Sequence, residues 1–215
     1  MLRSFHYETE DICMPDFIHQ FVPGRSSRTL LLLHGTGGNE TDLIPLGREL
    51  DPEAALLSLR GQVLENGMPR FFRRLAEGVF DEDDLVRRAH QLADFVGNAA
   101  RQYDFDQQKL LAVGYSNGAN IASAVLLLRP GTLSGGALLR AMIPLVPNEL
   151  PDLKKAPVLI AAGNFDPIIP AENAQRLAEL HEHARAEVSR HLDHAGHNLT
   201  SDTLSITKQS LGERP

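Results

Sequence analysis

One pentapeptide in the chain, Gly114-Tyr115-Ser116-Asn117-Gly118, has the residue types and spacing that can turn a serine into a nucleophile. An apolar run over residues 110–113 precedes it, and a helical pattern continues from it to residue 128. This pattern predicts a strand, a sharp turn and a helix. In that context, the motif Gly-x-Ser-x-Gly exposes the serine hydroxyl at the top of a sheet. The two glycines let the strand and the helix approach closely.

Serine is also a common helix N-cap, which is the simpler interpretation of Ser116. A cap needs no flanking glycine and predicts nothing further along the chain. A nucleophile of this kind predicts an acid and then a histidine, each after a later strand. Asp166 and His197 occur in that order after strand-forming runs. His194 is an alternative base, but Gly196 favours His197 because it permits a tight loop that turns the ring inward.

The three residues predict a division of chemical roles. A serine hydroxyl is a weak nucleophile, so His197 must take its proton during attack and return it to the leaving group. Asp166 would hold the imidazole in the productive tautomer and stabilise the imidazolium without becoming protonated itself.

A negative oxygen develops in the transition state and needs hydrogen-bond donors that are already in place. We expect the backbone N–H of Asn117, at the start of a helix, and that of Thr36 to form this oxyanion hole. Thr36 lies in the Gly-rich loop 34–38, which follows an early strand. This loop lacks the spacing of a P-loop or a dinucleotide site. His34 within it is interpreted as a structural residue.

The elements that must position these residues alternate between short apolar strands and longer helices. Such alternation is typical of an α/β fold with a mostly parallel sheet and helices on both faces. Strands are predicted over residues 17–22, 29–33, 54–58, 110–113, 141–146, 158–162 and 187–192. Helices are predicted over residues 83–103, 116–128, 171–185 and 201–211. The chain shows no interdomain linker, so we expect residues 1–215 to form one domain.

Residues 59–80 show neither the hydrophobic periodicity of a helix nor that of a strand. Because they follow a predicted strand, this connection should leave from the edge of the sheet where open α/β folds bind ligands. Phe71 and Phe72 are predicted to be exposed there and to line the substrate pocket together with Arg70 and Ile168. Arg70 either recognises an acidic substrate or makes a structural ion pair, and the ion pair is favoured.

Composition excludes several other classes of function. The net charge is −7 and no long basic block occurs, which argues against a nucleic-acid partner. No apolar run is long enough for a membrane span, and charges within residues 1–20 argue against a secretory signal, so we expect a cytoplasmic protein. The single cysteine, Cys13, excludes an intramolecular disulfide and a multi-thiolate zinc site. His181 and His183 would point apart on a helix, so no metal site is expected.

The chain resembles the carboxylesterase/phospholipase family of α/β-hydrolases, which includes acyl-protein thioesterases and small bacterial esterases. The resemblance covers nearly the whole chain and rests on residues 32–40, 42–46, 70–72, 114–120, 162–167 and 196–197. It implies an α/β-hydrolase fold without a large lid, a small-molecule ester or thioester substrate, no cofactor, and Ser116, Asp166 and His197 as the triad. It also implies a homodimer, since many relatives form one. Residues 209–215 depart from the family by ending the last helix weakly.

The leading hypothesis is a hydrolase of small to medium acyl esters or aromatic esters that works through an acyl-enzyme. A thioesterase, a lysophospholipase, an acyltransferase or a hydrolase of diketone C–C bonds would share the nucleophile, the base and the oxyanion hole. A non-catalytic ligand-binding protein with the same fold is the alternative of a different class. The complete set of Ser116, Asp166 and His197 argues against it.

Overall fold

The structure is a computed structural model that describes residues 17–212. The strands are β1 (His19–Val22), β2 (Thr29–Leu33), β3 (Ala55–Leu59), β4 (Val63–Glu65), β5 (Met68–Arg70), β6 (Arg74–Ala76), β7 (Val79–Phe80), β8 (Leu110–Tyr115), β9 (Gly135–Leu139), β10 (Pro157–Gly163) and β11 (Glu187–Asp193). The α-helices are α1 (Ile44–Leu50), α2 (Glu82–Tyr103), α3 (Asn117–Leu128), α4 (Ala171–His183) and α5 (Ser201–Gly212). Cys13 and residues 213–215 lie outside the described residues.

Seven strands form one sheet in the order β1-β3-β2-β8-β9-β10-β11. The pair β1–β3 is antiparallel and every other pair is parallel. Because neighbouring parallel strands end together, Leu33 lies opposite Gly114, and Gly163 lies opposite Asp193. The loops that follow these strands therefore emerge at one edge of the sheet. The predicted α/β-hydrolase fold is confirmed.

Two layers of helices cover the sheet because the side chains of a strand alternate between its faces. Leu31 and Leu33 of β2 belong to a core shared with α2, α3 and α4. Leu30 and Leu32 belong to the opposite core, which α1 and α5 cover. On the first side, His181 of α4 is fully buried, its Nε2 lies 2.9 Å from Ser123 Oγ of α3, and burial lowers its pKa to about 4.

The strand predicted over residues 141–146 is wrong, since the fifth strand of the sheet is β9 and residues 141–146 form an extended loop after it. Two glycines open β9, and glycine has a low strand propensity. Here the close approach of the neighbouring strands requires glycine at both positions. A Cβ at Gly136 would lie 2.8 Å from the Ala112 carbonyl oxygen, and one at Gly135 would lie 2.3 Å from that of Pro157.

The connection between β3 and α2 forms two short antiparallel hairpins, β4–β5 and β6–β7, rather than a helical lid. The predicted exposure of Phe71 and Phe72 is wrong, because both rings are buried in the core beneath the hairpins. The exposed apolar side chains of this segment are instead Leu64, Met68, Leu75 and Val79. Within residues 17–212, no helix is both long enough and apolar enough to cross a membrane.

Candidate active site

Ser116 lies in the turn between β8 and α3 with a backbone φ of 52° and ψ of −114°. The turn is as tight as the flanking glycines predict. A Cβ at Gly114 would lie 2.6 Å from the Ala119 Cα, and one at Gly118 would lie 1.9 Å from the Leu33 carbonyl oxygen. Any larger residue at these positions would push α3 away from the sheet and displace the serine.

The Ser116 side chain does not cap α3. Its Oγ lies 2.9 Å from His197 Nε2, and His197 Nδ1 lies 2.7 Å from Asp166 Oδ2. The backbone N–H groups of Ile168 and Ile169 donate to the other carboxylate oxygen, Oδ1, at 2.9 and 3.1 Å. With Asp166 accepting at Nδ1–H, the imidazole presents its Nε2 lone pair to the serine hydroxyl.

His194, the alternative base, is not part of the Ser116–His197–Asp166 hydrogen-bond chain. Its side chain is exposed and its ring packs beside Phe165, with 6.0 Å between the ring centroids. The structure thus brings together Ser116, His197 and Asp166 and leaves His194 on the surface.

A buried ion pair holds the loop that carries His197. Arg140 is fully buried, and its guanidinium lies 2.8 Å from the Asp193 carboxylate. The same guanidinium donates to the carbonyls of Gly196 at 3.0 Å and Asn198 at 2.9 Å. The Tyr115 hydroxyl donates to the carbonyl between them, that of His197, at 3.1 Å. Three consecutive carbonyls of the loop are therefore held by side chains that follow or end sheet strands.

This support was not predicted from the sequence, and neither were Tyr115, Asn120 and Met142 as residues around Ser116. A signal for Arg140 existed, because it is a single charged residue between two apolar runs. The misplaced fifth strand concealed this signal by putting Arg140 before a strand rather than at its carboxyl end.

The two residues expected to supply the oxyanion donors line the same cavity as the serine. Asn117 opens α3, where backbone N–H groups lack an intrahelical acceptor. Thr36 is the second residue of a four-residue turn, in which the Gly38 N–H donates a hydrogen bond to the Gly35 carbonyl at 3.1 Å. Gly37 follows Thr36 with φ of 86°, as the third residue of a type II turn requires.

His34 has a structural position at the base of this turn. Its Nδ1 lies 2.6 Å from the Gly35 carbonyl oxygen, and its Nε2 accepts the Gly61 N–H at 3.0 Å. Burial is the main reason that its pKa lies below the usual 6.5. Both ring nitrogens are occupied, so His34 is not available as a base for Ser116.

A cavity of about 230 Å³ opens beside Ser116 and His197. Arg70 and Ile168 line it, as predicted from the sequence, whereas Phe71 and Phe72 are core residues and do not. The expectation that the two phenylalanines form the pocket wall is therefore wrong. The side chains that line the cavity besides the serine and the histidine include Thr36, Arg70, Arg74, Glu77, Phe80, Tyr115, Asn117, Asn120, Met142, Ile168 and Ile169.

The charged side chains in this wall are partly paired. Glu65 lies 3.3 Å from the Arg70 guanidinium and 2.7 Å from that of Arg74. Burial lowers the pKa of Arg70, while the charge of Glu65 opposes that change. Burial also raises the pKa of Tyr115, so its hydroxyl stays protonated and remains a donor to the His197 loop.

Comparison with known proteins gives close relatives over most of the chain. A Bacillus subtilis (strain 168) protein named as a hydrolase, MhqD, is 50% identical over 182 residues, which cover 85% of this chain and 91% of that protein. The Bacillus cereus carboxylesterase superposes with a TM-score of 0.90 at 46% identity, over 92% of this chain and 94% of that chain. A carboxylesterase from Mesorhizobium loti superposes with a TM-score of 0.86 at 31% identity, over 92% and 95%.

The family match agrees with the geometry at the sheet edge. Residues 70–209 match the dienelactone hydrolase family, and this span includes the serine, the acid and the histidine. The α/β-hydrolase resemblance recognised in the sequence is confirmed. The chain belongs to the dienelactone hydrolase family and is a hydrolase of the dienelactone hydrolase and carboxylesterase type.

Proposed function

We propose that the protein is a serine hydrolase that cleaves carboxylic esters with small to medium acyl or aromatic groups. The observation that carries the proposal is the unbroken hydrogen-bond chain from Ser116 Oγ through the His197 ring to Asp166. The Asp166 side chain is only 1% exposed and its second oxygen is occupied by two backbone donors. The carboxylate is therefore held in the orientation that fixes the histidine tautomer.

In the first half-reaction, Ser116 Oγ attacks the ester carbonyl carbon while His197 Nε2 takes the hydroxyl proton. The carbonyl oxygen becomes negative and accepts hydrogen bonds from the Thr36 and Asn117 amides. Collapse of this intermediate breaks the bond to the alcohol oxygen, which takes the proton from His197. The acyl group stays on the serine as an ester.

In the second half-reaction, His197 takes a proton from water, and the resulting nucleophile attacks the acyl carbon. The tetrahedral intermediate again places its negative oxygen at the two amides. Ser116 leaves with the proton from His197, and the carboxylic acid is released. Each proton moved in one direction returns in the next step, so the enzyme is regenerated.

The size of the cavity supports the proposed substrate class. Its volume of about 230 Å³ lies below the roughly 300–1,000 Å³ of pockets that enclose drug-sized ligands. Phe80, Met142 and Ile169 give it apolar surface for an acyl or aromatic group. We therefore expect activity on p-nitrophenyl esters to peak at a short or medium acyl chain and to fall with longer chains.

Two measurements test the proposal together. A fluorophosphonate probe should label the wild-type protein, and an ester series with one thioester should give a chain-length profile. Ser116→Ala should abolish labelling and reduce kcat by about 10⁴-fold or more, with the circular dichroism spectrum unchanged. Full ester hydrolysis by Ser116→Ala would refute the assignment of the nucleophile.

The two histidines of the same loop provide a matched control. His197→Ala should reduce kcat by a factor comparable to that of Ser116→Ala, whereas His194→Ala should leave kcat close to the wild-type value. The reverse result would reassign the base. Product analysis with an added alcohol separates hydrolysis, which yields the acid, from acyl transfer, which yields a new ester.

A further inference from the structure

The segment Pro69–Phe72, here called the strap, contacts both loops that carry the proposed oxyanion donors. The Pro69 carbonyl accepts the Gly37 N–H at 2.9 Å. The Arg70 guanidinium donates through Nη1 to Thr36 Oγ1 at 2.6 Å. The strap thus holds the Thr36 turn through a backbone and a side-chain hydrogen bond on adjacent residues.

The next residue of the strap reaches the other donor. The Phe71 N–H donates to Asn117 Oδ1 at 2.7 Å, and Asn117 is only 3% exposed. Asn117 opens α3 directly after the nucleophile. The strap therefore connects the Thr36 turn to the start of α3 through three consecutive residues, Pro69, Arg70 and Phe71. The relative position of these two segments sets the width of the oxyanion hole.

The back of the strap is fixed against the core. A Cβ at Gly61 would lie 2.3 Å from the Arg70 carbonyl carbon, so the two backbones are in direct contact. The same Gly61 donates its N–H to His34 Nε2. The His34 ring lies beside the Phe71 ring, with 4.8 Å between their centroids. Movement of the strap is consequently opposed from the side away from the cavity.

The Arg70 guanidinium is engaged in hydrogen bonds and an ion pair within the protein. Its Nε donates to the Phe72 carbonyl at 3.2 Å and lies 3.3 Å from Glu65, and the side chain is 4% exposed. A substrate anion would meet Arg74 more readily, since that side chain lines the same cavity and is 30% exposed. Arg70 is therefore better placed to orient Thr36 than to bind a charged substrate.

We infer that Arg70 is a positioning residue that holds the Thr36 amide, through the Thr36 hydroxyl, at the correct distance from the Asn117 amide. This inference rests on the proposed function, because it assigns a support to the oxyanion hole of that reaction. Thr36 thereby has two roles: its amide stabilises the negative oxygen and its hydroxyl receives the support. The effect of losing the contact should appear in kcat, because the negative oxygen is absent from the bound ester and develops only in the transition state that leads to the tetrahedral intermediate.

The test uses substitutions on each side of the contact. Thr36→Val removes the hydroxyl and retains the shape of the side chain, whereas Thr36→Ser retains the hydroxyl. We expect Thr36→Val to lower kcat by about tenfold to a hundredfold with little change in KM. Thr36→Ser should recover most of that loss. Arg70→Met combined with Thr36→Val should lower kcat no further than the larger single effect, because the contact between Arg70 and Thr36 is broken by either change alone.

Kinetics should be measured with a neutral ester and with an ester that carries a carboxylate on its acyl group. Equal kcat losses for the two esters in Arg70→Met support positioning. A rise in KM for the carboxylate ester alone overturns it in favour of substrate recognition. Thermal unfolding of each variant shows whether it folds. Should Arg70→Met fail to fold, the pair Thr36→Val and Thr36→Ser decides.

The outcome for the wild type separates this inference from the function on which it rests. If the wild type hydrolyses esters and Thr36→Val retains full kcat, the positioning role is refuted and the proposed function stands. A wild-type protein that neither reacts with the fluorophosphonate probe nor hydrolyses any ester refutes the proposed function, and the role of Arg70 with it.

Discussion

The loop that carries His197 and the turn that carries Thr36 border the same cavity as Ser116, and they are supported in different ways. The His197 loop is held by the pair of Arg140 and Asp193, whose side chains are 0% and 3% exposed. The Thr36 turn is held by Arg70, whose carboxylate partner belongs to a surface hairpin and is 25% exposed. One support is part of the core, and the other belongs to the rim of the cavity.

This difference separates stability from activity. A charge buried in the core cannot lose its partner without a large cost in unfolding free energy. Glu65, the carboxylate partner of Arg70, is partly exposed, so water can solvate this carboxylate when the guanidinium is lost, at a smaller cost. We call the supported His197 loop the histidine side and the supported Thr36 turn the oxyanion side. We therefore expect substitutions that break the support of the histidine side to unfold the protein. Substitutions that break the support of the oxyanion side should slow catalysis in a folded protein.

The largest effect is expected for Arg140→Met, which leaves the Asp193 carboxylate buried and unpaired. The free energy of unfolding should fall by about 3–5 kcal/mol, as measured by urea denaturation. Arg185→Met is the matched control, since it breaks an ion pair with Asp152 whose side chains are 71% and 46% exposed. That variant should unfold close to the wild-type midpoint. Equal losses in the two variants would contradict the argument that burial of the Asp193 charge sets the cost.

Acid should disturb the oxyanion side before the histidine side. Because burial lowers the pKa of His34 below 6.5, the unfolded chain takes up a proton more readily than the folded one. The stability that neutral His34 contributes is therefore complete above about pH 6.5 and decreases as the pH falls. Protonated His34 cannot accept the Gly61 N–H, so the back of the strap should loosen.

Asp193 keeps its contribution to stability over the same pH range. Burial alone would raise its pKa, but hydrogen bonds from Thr203, Arg140 and Thr200, with the charge of Arg140, bring it below 3.8. A carboxyl with a lowered pKa loses its contribution only as the pH falls below the unfolded value, here 3.8. The support of the His197 loop should thus persist to a lower pH than that of the Thr36 turn.

Amide hydrogen exchange measures the two sides separately. Between about pH 7 and pH 5, the protection of the Gly61 amide should decrease severalfold after correction for the intrinsic rate. The Phe165 amide, bonded to the Ala195 carbonyl of the histidine loop at 2.9 Å, should keep its protection. His34→Gln should remove the pH dependence at Gly61. A parallel decrease at both amides would mean that the two sides open together.

The smallest effect is expected on the outer face of the hairpins. Leu75 is 73% exposed and Leu64 is 70% exposed. Substitution of either by serine should change the unfolding free energy by less than about 0.5 kcal/mol and leave kcat unchanged. A loss above about 1 kcal/mol would indicate that these side chains support the rim in solution, which would extend the support of the oxyanion side beyond the strap.

Local patterns predicted the tight turn at Ser116 and its flanking strand and helix well. The residues that shape the Ser116 turn are adjacent in sequence, so the requirement for glycine at positions 114 and 118 could be read directly. Asp166 and His197 were found because chain order and strand ends restrict the candidates to a few positions. In the structure, His197 contacts Ser116 and Asp166 contacts His197, at the predicted edge of the sheet.

Contacts between distant segments were not predictable in this way. Arg140 and Asp193 are 53 positions apart, and neither neighbourhood indicates the other. Phe71 and Phe72 lie in a Gly-rich segment without a period, and their burial depends on how the hairpins dock. The fifth strand was misplaced because its glycines serve packing against Ala112 and Pro157, which outweighs local strand propensity.

The backbone at Ser116 has a consequence for how the protein can change. A φ of 52° is costly for a residue with a side chain, by roughly 1–3 kcal/mol, and glycine would adopt it with less strain. Selection for stability and selection for activity therefore favour different residues at position 116, since glycine, which suits the backbone best, has no hydroxyl. Random mutation screened for thermal tolerance alone would be drawn toward an inactive protein at this position. Searches for more robust variants should therefore select for turnover and heat resistance together.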